Sequence, residues 1–189
     1  VTDRFSVSVG GRYTQDEKEG DVYRQNFTGI RTPLFGNAAA VPGLLRTRYA
    51  NSREFSEFTP RFSASFEPSD AWTLYASWGK GFKSGGFDMR GDAYIFPGTV
   101  DGYEPETVET TEVGVKTSLA DNRVRINAAV FSSDYKDQQI TSQFAVGAAV
   151  VSFVDNAGQS SIDGIEIESS VAFTDSLSAS LQVGYIDAK

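Results

Sequence analysis

Apolar side chains return at every second position through seven stretches of this 189-residue chain, a period that an extended strand sorts onto one face. In the clearest stretch Trp72, Leu74, Ala76 and Trp78 alternate with Thr73, Tyr75 and Ser77. Phe5, Val7, Val9 and Tyr13 stand opposite Ser6, Ser8 and Arg12, and Phe58, Phe62, Ala64 and Phe66 opposite Thr59, Arg61 and Ser63. Further on, Val113, Val115 and Leu119 oppose Glu112, Lys116 and Ser118, while Val124, Ile126, Ala128 and Val130 oppose Arg123, Arg125 and Asn127. The last two stretches set Ile165, Ile167, Val171 and Phe173 against Glu166, Glu168 and Ser170, and Leu177, Leu181, Val183 and Tyr185 against Ser178, Ser180 and Gln182. The pattern predicts an all-β chain with one dry face and one wet face.

Loop lengths alternate as well. Three connections are tight and built of turn residues: EPSDA at 67–71, ADNR at 120–123 and TDS at 174–176. The alternate connections, at about 15–53, 84–107 and 137–160, are long. Short turns along one edge and long loops along the other describe an antiparallel transmembrane β-barrel of the outer membrane, with periplasmic turns and extracellular loops. A soluble sandwich has no reason to segregate loop length by edge.

Aromatic position points the same way. Phe5, Phe66, Trp72 and Phe173 sit beside the short turns, and Tyr13, Phe58, Trp78 and Tyr185 sit six to eight residues along the same strands on the same face. Eight residues at about 3.3 Å each, tilted by about 40°, rise roughly 20 Å, close to the apolar band between two aromatic girdles. The other face carries Arg12, Arg61, Glu112, Lys116, Arg125, Glu166 and Glu168, which a hydrated lumen would accommodate and hydrocarbon would not. Their simplest role is ion pairing across neighbouring strands.

Several functions are excluded by what the chain lacks. With no cysteine and no histidine it has neither a thiolate metal site nor the commonest general base, so an enzyme is not expected. A net charge of −8 argues against nucleic acid. Gly79 and Gly81 in WGKGFKSGGF start like a dinucleotide fingerprint, but Ser84 occupies the third glycine's place and no helical period follows. The acidic run Asp16 to Asp21 lacks the ligand spacing and central glycine of a calcium loop and reads as an exposed loop, so no metal or cofactor is expected. On pattern alone a passive porin and a soluble β-sandwich binding module, with the rings as its core, stay open.

Three segments carry a resemblance to a known family. YASWGKGFKSGGF (75–87), YEPETVETTEVGVK (103–116) and DNAGQSSIDGIEIE (155–168) resemble, in the same order, landmarks of TonB-dependent outer-membrane receptors. The resemblance implies that the seven strands belong to a barrel of twenty-two. Residues 1–189 would be an internal part of it, with the plug domain, the N-terminal segment that engages TonB and the C-terminal strands lying elsewhere. It also implies an active transport receptor for a scarce, bulky ligand such as a ferric siderophore, set among outer-membrane lipid and lipopolysaccharide. The candidate ligand-binding residues are then Arg90, Tyr94, Phe96 and Tyr103 in the second long loop, where rings stack on a ligand and arginine pairs with an anionic group. Lys80 and Lys83 fall at the solvated rim.

Overall fold

The computed structural model describes residues 4–28, 41–146 and 149–189, and most of them lie in antiparallel strands. β1 (Phe5–Thr28), β2 (Val41–Ser69), β3 (Trp72–Lys83), β4 (Glu106–Leu119), β5 (Val124–Lys136), β8 (Gln159–Thr174) and β9 (Leu177–Ala188) form one open, seven-stranded sheet in that order. β6 (Gln139–Val146) and β7 (Ala149–Asn156) pair only with each other, as a hairpin that leaves the sheet between β5 and β8. The seven sheet strands are those that the alternation predicts, joined by the three short turns.

Register turns the alternation of single strands into a continuous surface. One row of directly opposed residues runs Val7, Ala64, Ala76, Val113, Val130, Ile165 and Tyr185 across all seven strands. The next row on that face runs Phe5, Phe66, Leu74, Val115, Ala128, Ile167 and Val183, again without a polar residue. At the margins Phe5 opposes Phe66 and Tyr13 opposes Phe58, so four of the expected girdle rings meet as cross-strand pairs, while Trp78 opposes Phe62, a ring outside the expected girdle. These side chains are exposed, and the buried apolar residues Val22, Phe55 and Val151 all lie elsewhere. Among the described residues nothing covers this face, and its rings form no buried core there.

The opposite face is polar and in places paired from strand to strand. Tyr75 Oη donates to Glu112 Oε1 at 2.7 Å, Lys116 Nζ stands 5.3 Å from the Tyr75 ring centre, and Thr110 and Ser133 share a hydroxyl hydrogen bond. Bulk on this face is fitted by missing bulk next to it. A Cβ at Gly114 would lie 2.5 Å from the Tyr75 ring, and one at Gly164 would lie 2.3 Å from that of Phe131.

Two of the three predicted long loops need correction. The connection expected over 15–53 is largely strand: β1 and β2 stay paired to Thr28 and Val41, far beyond the apolar stripe, and the rest of that span lies outside the described residues. The acidic run is likewise strand and not loop, with Glu17, Glu19 and Asp21 exposed on the outward face and Glu17 directly opposite Glu54. Beyond the apolar band both faces of the strand are polar, so hydrophobic alternation ends where the strand does not. The connection expected over 137–160 is the β6–β7 hairpin. It leaves and rejoins the sheet at Asp137 and Gly158, both with positive φ (54° and 105°).

Replacing Gly164 by alanine in the full-length protein should lower stability by about 1–3 kcal/mol, because the Phe131 ring must move. Gly79→Ala meets only ordinary contacts, the nearest at 3.6 Å, and should leave the unfolding midpoint by circular dichroism unchanged.

Candidate functional site

Pairing between β2 and β3 stops at Arg61 opposite Gly79, whereas β1 and β2 continue together. Lys80 marks the parting, its Nζ 3.1 Å from Glu57 Oε2. Into the notch so opened folds the segment 84–105, and every β1 or β2 residue that holds it except Arg46 belongs to the polar face. Asn51 Nδ2 donates to Val100 O, Arg53 Nη1 to Asp101 O, Thr47 Oγ1 to Gly91 O and Arg24 Nη1 to Arg90 O, at 2.6–3.1 Å. Phe87 lies against Gly20 and 6.0 Å from Tyr49, and Phe55 is buried against Gly85. The segment thus lies over the side of the sheet that continues the polar wall.

Arg46 reaches the segment through an irregularity. Arg24 opposes Thr47 and Gln25 opposes Leu45, so Arg46 is the extra residue of a bulge, a device that re-aims a side chain. Its guanidinium forms an ion pair with Asp92, whose side chain is 2% exposed. The second Asp92 oxygen accepts from Tyr94 N at 3.2 Å, Thr47 Oγ1 accepts from Ala93 N at 3.0 Å, and Tyr94 N also donates to Arg46 O. A buried carboxylate with a guanidinium and a backbone donor satisfied around it fixes the segment at its middle. Nearby, burial and then the charge of Asp88 push the Tyr49 phenol up from its ordinary value.

The far end is fixed by two amides. Gln139 Nε2 donates to Ser84 O and Glu104 O at 2.9 and 3.1 Å, while Asn156 donates to Glu104 O and Asp137 O and accepts from Glu104 N. Between them Gly86 and Tyr103 exchange both backbone hydrogen bonds, which brings the two limbs of the segment together. A Cβ on Gly85 would lie 2.4 Å from Tyr103 O, and Gly102, at φ 73°, would put one 2.3 Å from Gly86 O. The glycine pair after the third strand therefore serves close backbone approach, with no phosphate cradle.

A cleft of about 300 Å³ opens between this segment and β7, lined by Asp88, Phe96, Gly98, Tyr103, Phe153 and Asp155 among others. Phe96 makes tilted contacts with Phe144 and Phe153, at centroid separations of 5.6 and 4.8 Å, and those two stack 5.5 Å apart. Of the four expected ligand-binding residues, the structure brings Phe96 and Tyr103 together in the cleft wall. Tyr94 lies outside it, exposed, with the Arg46 guanidinium 5.3 Å from its ring centre. Arg90 grips the Asp88 carboxylate through Nε at 3.0 Å and Nη2 at 3.3 Å, and its pKa is raised first by that hydrogen bond and then by the Asp88 charge. Sequence reasoning missed Arg46, Asp92, Gln139, Phe144 and Phe153. Asn156 alone had a signal, as part of the third landmark segment.

Comparison with known proteins places these features. A family model described as TonB dependent receptor-like, beta-barrel matches residues 1–189. A curated protein of Acinetobacter baumannii, described as a probable TonB-dependent siderophore receptor, PiuA, is 23% identical over the whole chain, which spans 22% of its length. The crystal structure of the ferric yersiniabactin uptake receptor FyuA from Yersinia pestis superposes with a TM-score of 0.73 at 20% identity, covering all of this chain and 25% of that one. The copper transporter OprC gives 0.71 at 15% identity, over all of this chain and 27% of its own. At such identities the solved structures establish the shared fold.

Asp92→Ala would leave Arg46 half-buried without its partner, at a cost of about 3 kcal/mol to the docked segment. Hydrogen exchange over 84–105 should then speed up by about two orders of magnitude while β4 and β5 keep their protection. Unchanged exchange in that segment would show that the pair does not hold it.

Proposed function

The chain belongs to the TonB-dependent receptor-like β-barrel family, and we propose that the complete protein imports a bulky, scarce ligand such as a ferric siderophore across the outer membrane, energised through TonB. The family is one of outer-membrane transport receptors and not of enzymes. The observation that carries the reading is the docked segment 84–105. A barrel wall whose loops fold back over the polar face, held by a buried ion pair and two amide clamps, keeps an ordered ligand-facing surface at its mouth. The relatives named above as a siderophore receptor and a ferric yersiniabactin uptake receptor support this class of cargo, while the copper transporter shows that the fold also serves a metal cargo.

In this reading the long hairpins face the exterior and the short turns at 70–71, 120–123 and 175–176 face the periplasm. The exposed apolar rows meet lipid, and the acidic outward face of β1 stands at the level of lipopolysaccharide. The 1–189 segment is part of a larger barrel, whose plug and TonB-engaging segment come from the rest of the polypeptide. Phe96 and Tyr103 offer rings to the ligand from the cleft, and Tyr94 offers one from the exposed crest beside Arg90.

Uptake of a radiolabelled ferric siderophore by iron-starved cells carrying the full-length protein should fall to background when a protonophore collapses the proton gradient. Uptake that persists would mean a passive porin. For the loop residues, the double variant R90A/Y94A should weaken binding of the transported chelate to whole cells by roughly tenfold, as expected for a lost ring and a lost charge-assisted contact. Unchanged affinity would remove both from the site.

A further inference from the structure

The cleft between segment 84–105 and β7 has a charge preference written into its wall. Its charged lining residues are both acidic, Asp88 and Asp155, and neither lysine nor arginine lines it. Their states differ. Asp88 is 92% buried and neutralised by Arg90, which binds it through two nitrogens and leaves its own guanidinium turned to that partner. Asp155 is exposed, accepts one hydrogen bond from Asn156 N at 2.9 Å and has no ion-pair partner among the described residues. The cleft therefore carries one uncompensated negative charge.

The remaining wall is aromatic. Phe96, Tyr103 and Phe153 line it, and the last is locked against Phe144 and Phe96, so the rings are positioned before anything binds. An aromatic ring attracts a cation by its quadrupole, and a carboxylate does so by its charge. Both act in the same direction here, and both disfavour an anion. At Gly98, one of the lining residues, a Cβ would meet nothing within 4 Å, so no side chain crowds the cleft there. A volume of about 300 Å³ is at the lower limit of small-molecule sites and suits one ring-sized group in place of a whole chelate.

We propose that this cleft is a subsite for a cationic, ring-sized arm of the transported ligand, an ammonium or amidinium group carried on or beside a flat ring, with Asp155 as its counter-ion and Phe96, Tyr103 and Phe153 as its walls. The proposal deepens the receptor reading, and rests on it only for the identity of the molecule that bears the arm.

The test uses the full-length receptor purified in a non-ionic detergent and two probes that share a ring, tryptamine and indole-3-acetate, with binding followed by titration calorimetry or saturation-transfer NMR. Tryptamine should bind at least tenfold more tightly than indole-3-acetate. Asp155→Asn, which keeps the acceptor for Asn156 N, should cut that preference to less than threefold, and Phe96→Leu should weaken tryptamine while leaving the receptor folded by heat-dependent gel migration. Equal binding of the two probes, binding of neither, or a preference retained in D155N would each overturn the proposal. Protonophore-sensitive uptake by the unaltered receptor is scored separately, so a failed transport reading and a failed cleft assignment give different results.

Discussion

A polypeptide crossing hydrocarbon meets no water that can serve its amides, so each strand must be hydrogen-bonded to neighbours along the whole crossing. That constraint fixes β2 to β5 and β8 side by side in one antiparallel ladder, and it makes every other consequence orderly. Once register is set, the two rows from Val7 to Tyr185 and from Phe5 to Val183 become a single apolar band, and the alternate residues of the same strands become a polar wall on the opposite face. Side chains on the wall are then free to be charged, because water and neighbouring strands satisfy them. Tyr75, Glu112 and Lys116 show the result, with a phenol, a carboxylate and an ammonium sharing one small area over Gly114.

The same constraint explains how much was legible in the sequence. Wherever one face meets lipid, the contrast between neighbours is strong, and the seven sheet strands and three turns can be read from it. Outside the bilayer the contrast disappears while the hydrogen bonding continues. Residues 16–21 put Asp16, Lys18 and Gly20 on one face and Glu17, Glu19 and Asp21 on the other, and no periodicity in hydrophobicity survives in such a run although β1 passes straight through it. The β6–β7 hairpin is hidden for a related reason. Its Phe144 and Phe153 lie against Phe96, a partner far away in sequence, among the described residues only Val151 of the strand pair is a buried apolar residue, and the strand signal is too short to stand by itself.

The candidate site was legible in residue type and less so in role. Aromatics in the second long loop pointed to Phe96 and Tyr103, which do share a cleft. Arg90 has the right chemistry for an anion, but Asp88 two residues earlier already holds its guanidinium, a local pairing that sequence spacing alone leaves open. Arg46 could not be found at all, since its contact with Asp92 depends on a bulge whose position is set by how β1 and β2 slide past one another.

The docking of 84–105 also sets an order of assembly. Its anchors join residues far apart in the chain, 44 positions for Thr47 with Gly91 and 52 for Glu104 with Asn156, whereas the ladder grows between successive hairpins. Closing such distant contacts carries the entropy of all the chain between them, and that entropy is reduced only after the intervening strands are in place. The mouth is therefore finished after the wall. A molecule halted midway has a correctly paired sheet with segment 84–105 still undocked, so completing the ladder and ordering that segment are separate events in its maturation.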